Sequence, residues 1–131
     1  MANAARGALR ALTNETAKTS SGDCKIRFYT AKPDENDIAS STHIAEIDVT
    51  IETLTTPPTI VLTSATPSTA SGTGSVTYAA LYYSGDTTRA IVTNCGTGGQ
   101  EVVVNTTSLL SGVTSITVTD ISIGYSDSVH Y

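Results

Sequence analysis

At 131 residues the chain has the size of one domain, long enough to bury a single core without disulfide staples. Charged residues make up only 15% of it, Trp is absent and Phe28 is the one Phe, so Thr and Ser hydroxyls must cover the solvent faces. That is the surface of a β-protein, since β-branched Thr fits a pleat and costs a helix side-chain freedom.

The formal charge of −5 is unevenly spread. Residues 1–32 carry six basic side chains (Arg6, Arg10, Lys18, Lys25, Arg27, Lys32) against Glu15 and Asp23, and the rest of the chain carries Arg89 against ten acidic residues. A basic head on an acidic body suits pairing between protomers or contact with an acidic partner, and the plainer reading is a few solvated charges on a helix and one strand. No basic run is interleaved with aromatics, so nucleic acid is not an expected partner. The first twenty residues lack the apolar run of a secretory signal, and no stretch approaches the ~20 apolar residues of a membrane span. The expectation is a soluble chain made in a cytosol, with Cys24 and Cys95 as thiols and no membrane partner.

From Asn3 to Thr19 the spacing of Ala5, Leu9 and Leu12 predicts a short helix with Arg6, Arg10, Glu15 and Lys18 on its other faces. Its apolar stripe is thin and Gly7 weakens it, so it needs docking, and Gly22 supplies a stop. Residues 1–22 form an expected helical arm and 23–131 an expected β domain.

Residues 24–30 predict a strand with Cys24, Ile26 and Phe28 on the core face and Lys25, Arg27 and Tyr29 opposite. Lys32-Pro33-Asp34-Glu35-Asn36-Asp37 is a polar turn cluster that lacks the ligand spacing of a calcium loop. Ile44 to Ile51 alternates with Ala45, Ile47, Val49 and Ile51 inward. Thr55-Thr56-Pro57-Pro58 interrupts, and a short strand runs from Thr59 to Thr63. Ser64 to Gly74 reads as a mobile loop crossing between sheets or as an irregular edge.

Val76 to Tyr83 is apolar on both faces, the pattern of a central strand covered twice. Ser84-Gly85-Asp86 predicts one hairpin turn, and the Gly-rich turn Cys95 to Gly99 predicts a second, between strands at Thr87 to Asn94 and Glu101 to Asn105. In the last strand the apolar phase slips from Ile116 and Val118 to Ile121 and Ile123. One extra residue near Thr119-Asp120, a β-bulge, restores the facing. The expected fold is mainly β, a single antiparallel β-sandwich of jelly-roll or immunoglobulin type with the short N-terminal α-helix.

Catalysis needs a base beside a nucleophile, or converging carboxylates. His43 and His130 sit in no nucleophile motif, Gly-x-Ser-x-Gly is absent, and two distant Cys with isolated His lack zinc spacing. Gly96-Thr97-Gly98-Gly99 precedes a strand and lacks the last glycine of a dinucleotide fingerprint. Neither an enzyme nor a cofactor is expected. Tyr82, Tyr83 and Tyr125 are candidates for a sugar-binding or subunit-binding surface, since Tyr offers an apolar ring with a polar tip, or else they close the rim of the core.

Several stretches together carry a family resemblance: Gly22-Asp23 leading into Lys25-Ile26-Arg27-Phe28-Tyr29-Thr30, the acidic Pro loop, Ile44-Ala45-Glu46-Ile47-Asp48-Val49, and Gly96 through Gly112 before a Ser/Thr/Val/Ile strand. Over residues 8 to 123 the chain resembles the small β-sandwich structural proteins of tailed bacteriophages, whose members often begin a strand with Lys-Leu-Arg-Ile-Tyr-Thr-Gly. Ala31 stands where that pattern has Gly, and Cys24 and Cys95 lie outside it. The resemblance implies a non-enzymatic virion component. The first choice is a head decoration (cement) protein bound to the major capsid protein as a homotrimer, and the second is a tail or fibre component. The basic residues Arg6, Arg10 and Lys18 are then the candidate anchor. A carbohydrate-binding module using the three tyrosines is a reading of a different class.

Overall fold

Strand β1 (Cys24–Tyr29) lies antiparallel to β2 (Ala45–Thr55), with Cys24 opposite Val49, Ile26 opposite Ile47 and Phe28 opposite Ala45. The period of two puts these six side chains on one buried face, as their alternation dictates. The computed structural model describes residues 24–34, 36–55, 58–83, 87 and 90–124. The expected helix from Asn3 to Thr19, its stop at Gly22, the turn at Ser84 to Asp86 and the tail from Ser126 lie outside the described residues.

β3 (Pro58–Thr66) pairs with β2 in a hairpin whose register runs from Thr55 opposite Pro58 to Asp48 opposite Thr66. Pro58 is tolerated as the first strand residue. The strand is nine residues long, extending past the expected Thr59 to Thr63. β6 (Tyr78–Tyr83) pairs with the other side of β1 and with β7 (Ile91–Gly96), both antiparallel. β8 (Val102–Val104) joins β7 to β11 (Val118–Gly124), and β11 returns to β3.

The expectation of a mainly β fold holds. The two stacked sheets of a sandwich are instead one seven-strand sheet closed into a barrel in the order β1-β2-β3-β11-β8-β7-β6. Alternation fixes which face each residue takes but not which strands meet, so β6 pairing with β1 was not readable in advance. Closure removes the open sheet edges a sandwich would have to protect. The interior is filled by apolar side chains, with Ile26, Phe28, Leu81, Ile91, Val102 and Ile121 all at 1% exposure or less. Each such side chain contributes roughly 1.5–3 kcal/mol relative to an exposed position.

One expected hairpin is corrected. β7 and β8 run parallel, with Cys95 opposite Val102 and Gly96 opposite Val103. The Gly-rich segment Thr97 to Glu101 therefore turns back on itself, and a positive φ of 82° at Gly99 allows it. Within it the Gln100 side chain accepts from the Gly98 N–H at 3.0 Å, and the Asn94 side chain accepts from the Glu101 N–H at 3.3 Å.

The bulge expected near Thr119-Asp120 is present. Val118 faces Val104 and Asp120 faces Val103, leaving Thr119 as the extra residue, so Ile121 and Ile123 turn back to the core. A second register shift occurs where Thr50 faces Ser64 but Ile51 faces Leu62, which makes Thr63 an extra residue in β3. It carries the inward phase from Ile60 and Leu62 to Ala65.

Of the two expectations for Ser64 to Gly74, the crossing loop is corrected and the irregular paired segment is nearer: Ser64 to Thr66 complete β3 and the rest forms a paired cap. β4 (Ser68–Thr69) pairs with β10 (Ser115–Ile116), and β5 (Gly74–Ser75) pairs with β9 (Ser108–Leu109). Ser71 and Gly72 donate to the Ile44 carbonyl, Val76 donates to Thr107, and Thr77 donates to Tyr29. Ala70, Val76, Leu109 and Ile116 close this end of the barrel. Strand directions place the start of β1 and the end of β11 at the opposite end.

Candidate functional site

The outer wall of β2, β1 and β6 carries the densest polar cluster among the described residues. Registers of Lys25 with Asp48 and of Arg27 with Glu46 set two basic residues of β1 against two acidic residues of β2. Lys25 Nζ bonds Asp48 Oδ1, and Arg27 Nε donates to Glu46 Oε2 at 2.6 Å. Tyr82, from β6, donates its hydroxyl to the same Glu46 oxygen at 2.6 Å, and the Arg27 guanidinium stands 5.1 Å from the centre of its ring.

Burial works to raise the Glu46 carboxyl, but hydrogen bonds from Tyr82 and Arg27 outweigh it and hold its pKa below the ordinary value. Burial and the Glu46 hydrogen bond push the Tyr82 phenol up. Burial opposes the charge on Arg27, and its bond to Glu46 overcomes that and raises it. At neutral pH all three groups therefore keep fixed protonation states. The cluster ties β2 to β1 and β6 and fixes a charge on the barrel wall.

Beside it Tyr29, 1% exposed, donates to the Ile38 carbonyl at 3.0 Å and meets His43 edge-on at 6.3 Å between ring centres. Ile38 belongs to a single 3-10 turn (Ile38–Ser40), which folds the acidic Pro loop back over the barrel wall. With Ala80, Ala90, Val92 and Tyr82 it makes a second, outer core. β6 is thus buried on both faces, as its two-sided apolar pattern predicts: Ala79 and Leu81 point inward and Ala80 and Tyr82 outward. Burial, with the charge of Arg27, lowers the His43 pKa. Among the described residues no group of three or more His, Cys, Asp or Glu converges as a metal site would require.

Of the candidate site residues, Tyr82 is 3% exposed with its hydroxyl on Glu46 and one ring face under Arg27. Tyr83 pairs with Cys24 through the backbone. Arg6, Arg10, Lys18 and Tyr125 lie outside the described residues. Comparison with protein-family models, with curated proteins and with solved structures returned no match.

Arg27 and Glu46 were not among the sequence candidates. Their signal was present: Lys25-x-Arg27 on one strand and Glu46-x-Asp48 on the next are matched charges at the same period of two. A second feature also went unread. At the cap, the turn after β9 exposes Leu110 by 52% and Val113 by 70%. In the sequence these are two aliphatic residues of a Ser/Gly turn, with nothing to mark them as outward-facing.

Cys24 and Cys95 are thiols. Cys24 is level with Tyr83 at one end of β6, whereas Tyr78, at the other end, faces Asn94. That is five strand steps, roughly 16 Å, too far for a disulfide, whose Cα atoms lie within about 7 Å. Burial pushes the Cys95 thiol up to about 12, so it is a poor nucleophile.

Proposed function

We propose that the chain is a non-enzymatic structural protein of a virion, a decoration protein that binds the outer surface of a phage head. The reading starts from the family resemblance over residues 8 to 123 and adds one geometric observation that carries it. Cys24, where the chain enters the barrel, and Gly124, at the end of β11, lie at one end, and the Ser/Thr-rich cap closes the other. A basic arm attached at Cys24 then grips an acidic shell while the barrel projects away from it. In this reading the arm is helical over Asn3 to Thr19, and Arg6, Arg10 and Lys18 meet the major capsid protein.

Such a protein stabilises a shell by many copies of a small contact, so avidity replaces individual affinity. Self-association into a closed ring, a homotrimer at a local three-fold position, multiplies the arms presented together. The filled barrel interior and the fixed protonation of the wall cluster support a scaffold over a catalyst.

The test is co-sedimentation with heads lacking the protein. The full chain should pellet with them, and the variant Arg6→Ser/Arg10→Ser/Lys18→Ser should stay in the supernatant while keeping its unfolding midpoint. Unchanged attachment of the variant rejects the arm as anchor, and no attachment of the full chain rejects decoration.

A further inference from the structure

We infer that the turn bearing Leu110 and Val113 is a preformed docking knob whose occupant is a second copy of this chain. These are the exposed large apolar side chains of the described residues, and they stand on one turn. The turn is fastened from several directions. Val113 and Thr114 donate to the Leu110 carbonyl, the Leu110 N–H donates to the Thr114 hydroxyl at 2.9 Å, and Gly112 donates to the Ala70 carbonyl at 2.8 Å. Ser111 adds two bonds, its N–H to the Thr73 hydroxyl and its own hydroxyl to the Ser71 carbonyl.

Gly112 takes a φ of 74°, which lets the turn close without a β-carbon in the way. An exposed apolar pair held this rigidly has little ordering entropy left to lose on docking. Single apolar side chains scattered over a surface are ordinary; two on one fastened turn make an anchor.

Charge selects the occupant. Residues 66–77 and 105–117, which build the cap, contain no ionisable side chain. Beyond residue 32 the rest of the body is strongly acidic. Contact between the walls of two copies therefore brings like charges together, whereas these cap segments add no charge of their own to a contact. A neutral patch with an apolar knob fits the cap of a neighbouring copy standing beside it, the arrangement in which a closed ring keeps every arm on one side.

This deepens the self-association proposed above but does not depend on where the protein sits. Failure of shell attachment leaves it standing, and its own failure leaves attachment by the arm standing.

The experiment is sedimentation velocity on the full chain over a concentration series at low and high salt. The wild type should associate reversibly, and salt should leave the association unchanged or strengthen it, since no ion pairs are broken. The variant Leu110→Ser/Val113→Ser should dissociate with a constant about a hundredfold weaker. Val113→Glu should be monomeric, because each contact would then bury a charge. Glu52→Ser, on the exposed wall of β2, should match the wild type. Far-UV circular dichroism and the unfolding midpoint establish that the variants fold. Three outcomes overturn the inference: a wild type that is monomeric throughout, association that survives both cap variants, or association that salt abolishes, which would assign it to the basic arm.

Discussion

Arg27 and Tyr82 converge on one oxygen of Glu46 from two different strands, each at 2.6 Å, while the guanidinium covers the ring. One carboxylate thus ties β2 to β1 and to β6 on the outside of the barrel. Tyr82→Phe removes a hydrogen bond to a charged acceptor and should cost about 1.5–2 kcal/mol. Glu46→Ala leaves both donors without their acceptor and should cost about 2 kcal/mol. A double-mutant cycle between Tyr82→Phe and Arg27→Met in chemical denaturation should give non-additive losses; strictly additive ones would mean the three groups do not act together.

The same carboxylate sets a pH dependence. The folded pKa of Glu46 lies below its ordinary value, so the stability it contributes is present above that ordinary value and is lost as pH falls through the folded pKa. Unfolding midpoints should therefore decline from about pH 5 downward, and the decline should be shallower in Glu46→Gln. Equal slopes in wild type and variant would exclude Glu46 as a source.

The bulge in β11 separates two substitutions at one position. Thr119 is exposed, and its hydroxyl donates to the Val103 carbonyl at 3.2 Å. Thr119→Ala should therefore cost about 1 kcal/mol or less. Deleting Thr119 shifts Ile121 and Ile123, both fully buried, to the solvent face and should abolish cooperative unfolding. A cooperatively folded deletion variant would show that the register is not fixed by this residue.

Gly72 packs against Ile44 so closely that an added β-carbon would lie 2.8 Å from Ile44 Cγ2 and 3.3 Å from its Cα. Gly72→Ala should destabilise by about 1–3 kcal/mol as the cap is pushed off the barrel. Gly98→Ala, where nothing lies within 4 Å, should be close to neutral. Thermal unfolding of the two variants side by side checks the contrast.

Faces were legible in the sequence, and so was one local irregularity. Cys24, Ile26 and Phe28, and Ala45, Ile47, Val49 and Ile51, alternate so regularly that burial on a pleated face is the economical reading. The Ile116/Val118 to Ile121/Ile123 slip can be repaired only by an added residue. The matching slip in β3 was hidden because Leu62 and Ala65 frame a run of Thr and Ser with no apolar marker.

Partners were harder to read. A Gly-rich turn between strands suits an antiparallel hairpin, so nothing in Gly96 to Gly99 announces that β7 and β8 run parallel. The cap has two-residue strands and no apolar period, so its order comes from backbone pairing that composition cannot reveal. Tyr82 was singled out for its type. Its neighbours Arg27 and Glu46, which determine what its hydroxyl does, become visible only once β1 is known to lie between β2 and β6.

Imaging the purified particle at a resolution that places a barrel of this size tests the proposed role most directly. Regular barrel-shaped density is expected at repeated positions on the head shell, with its arm end against the shell and its cap end outward. Density confined to the tail, or a head shell bare of it, would contradict the account.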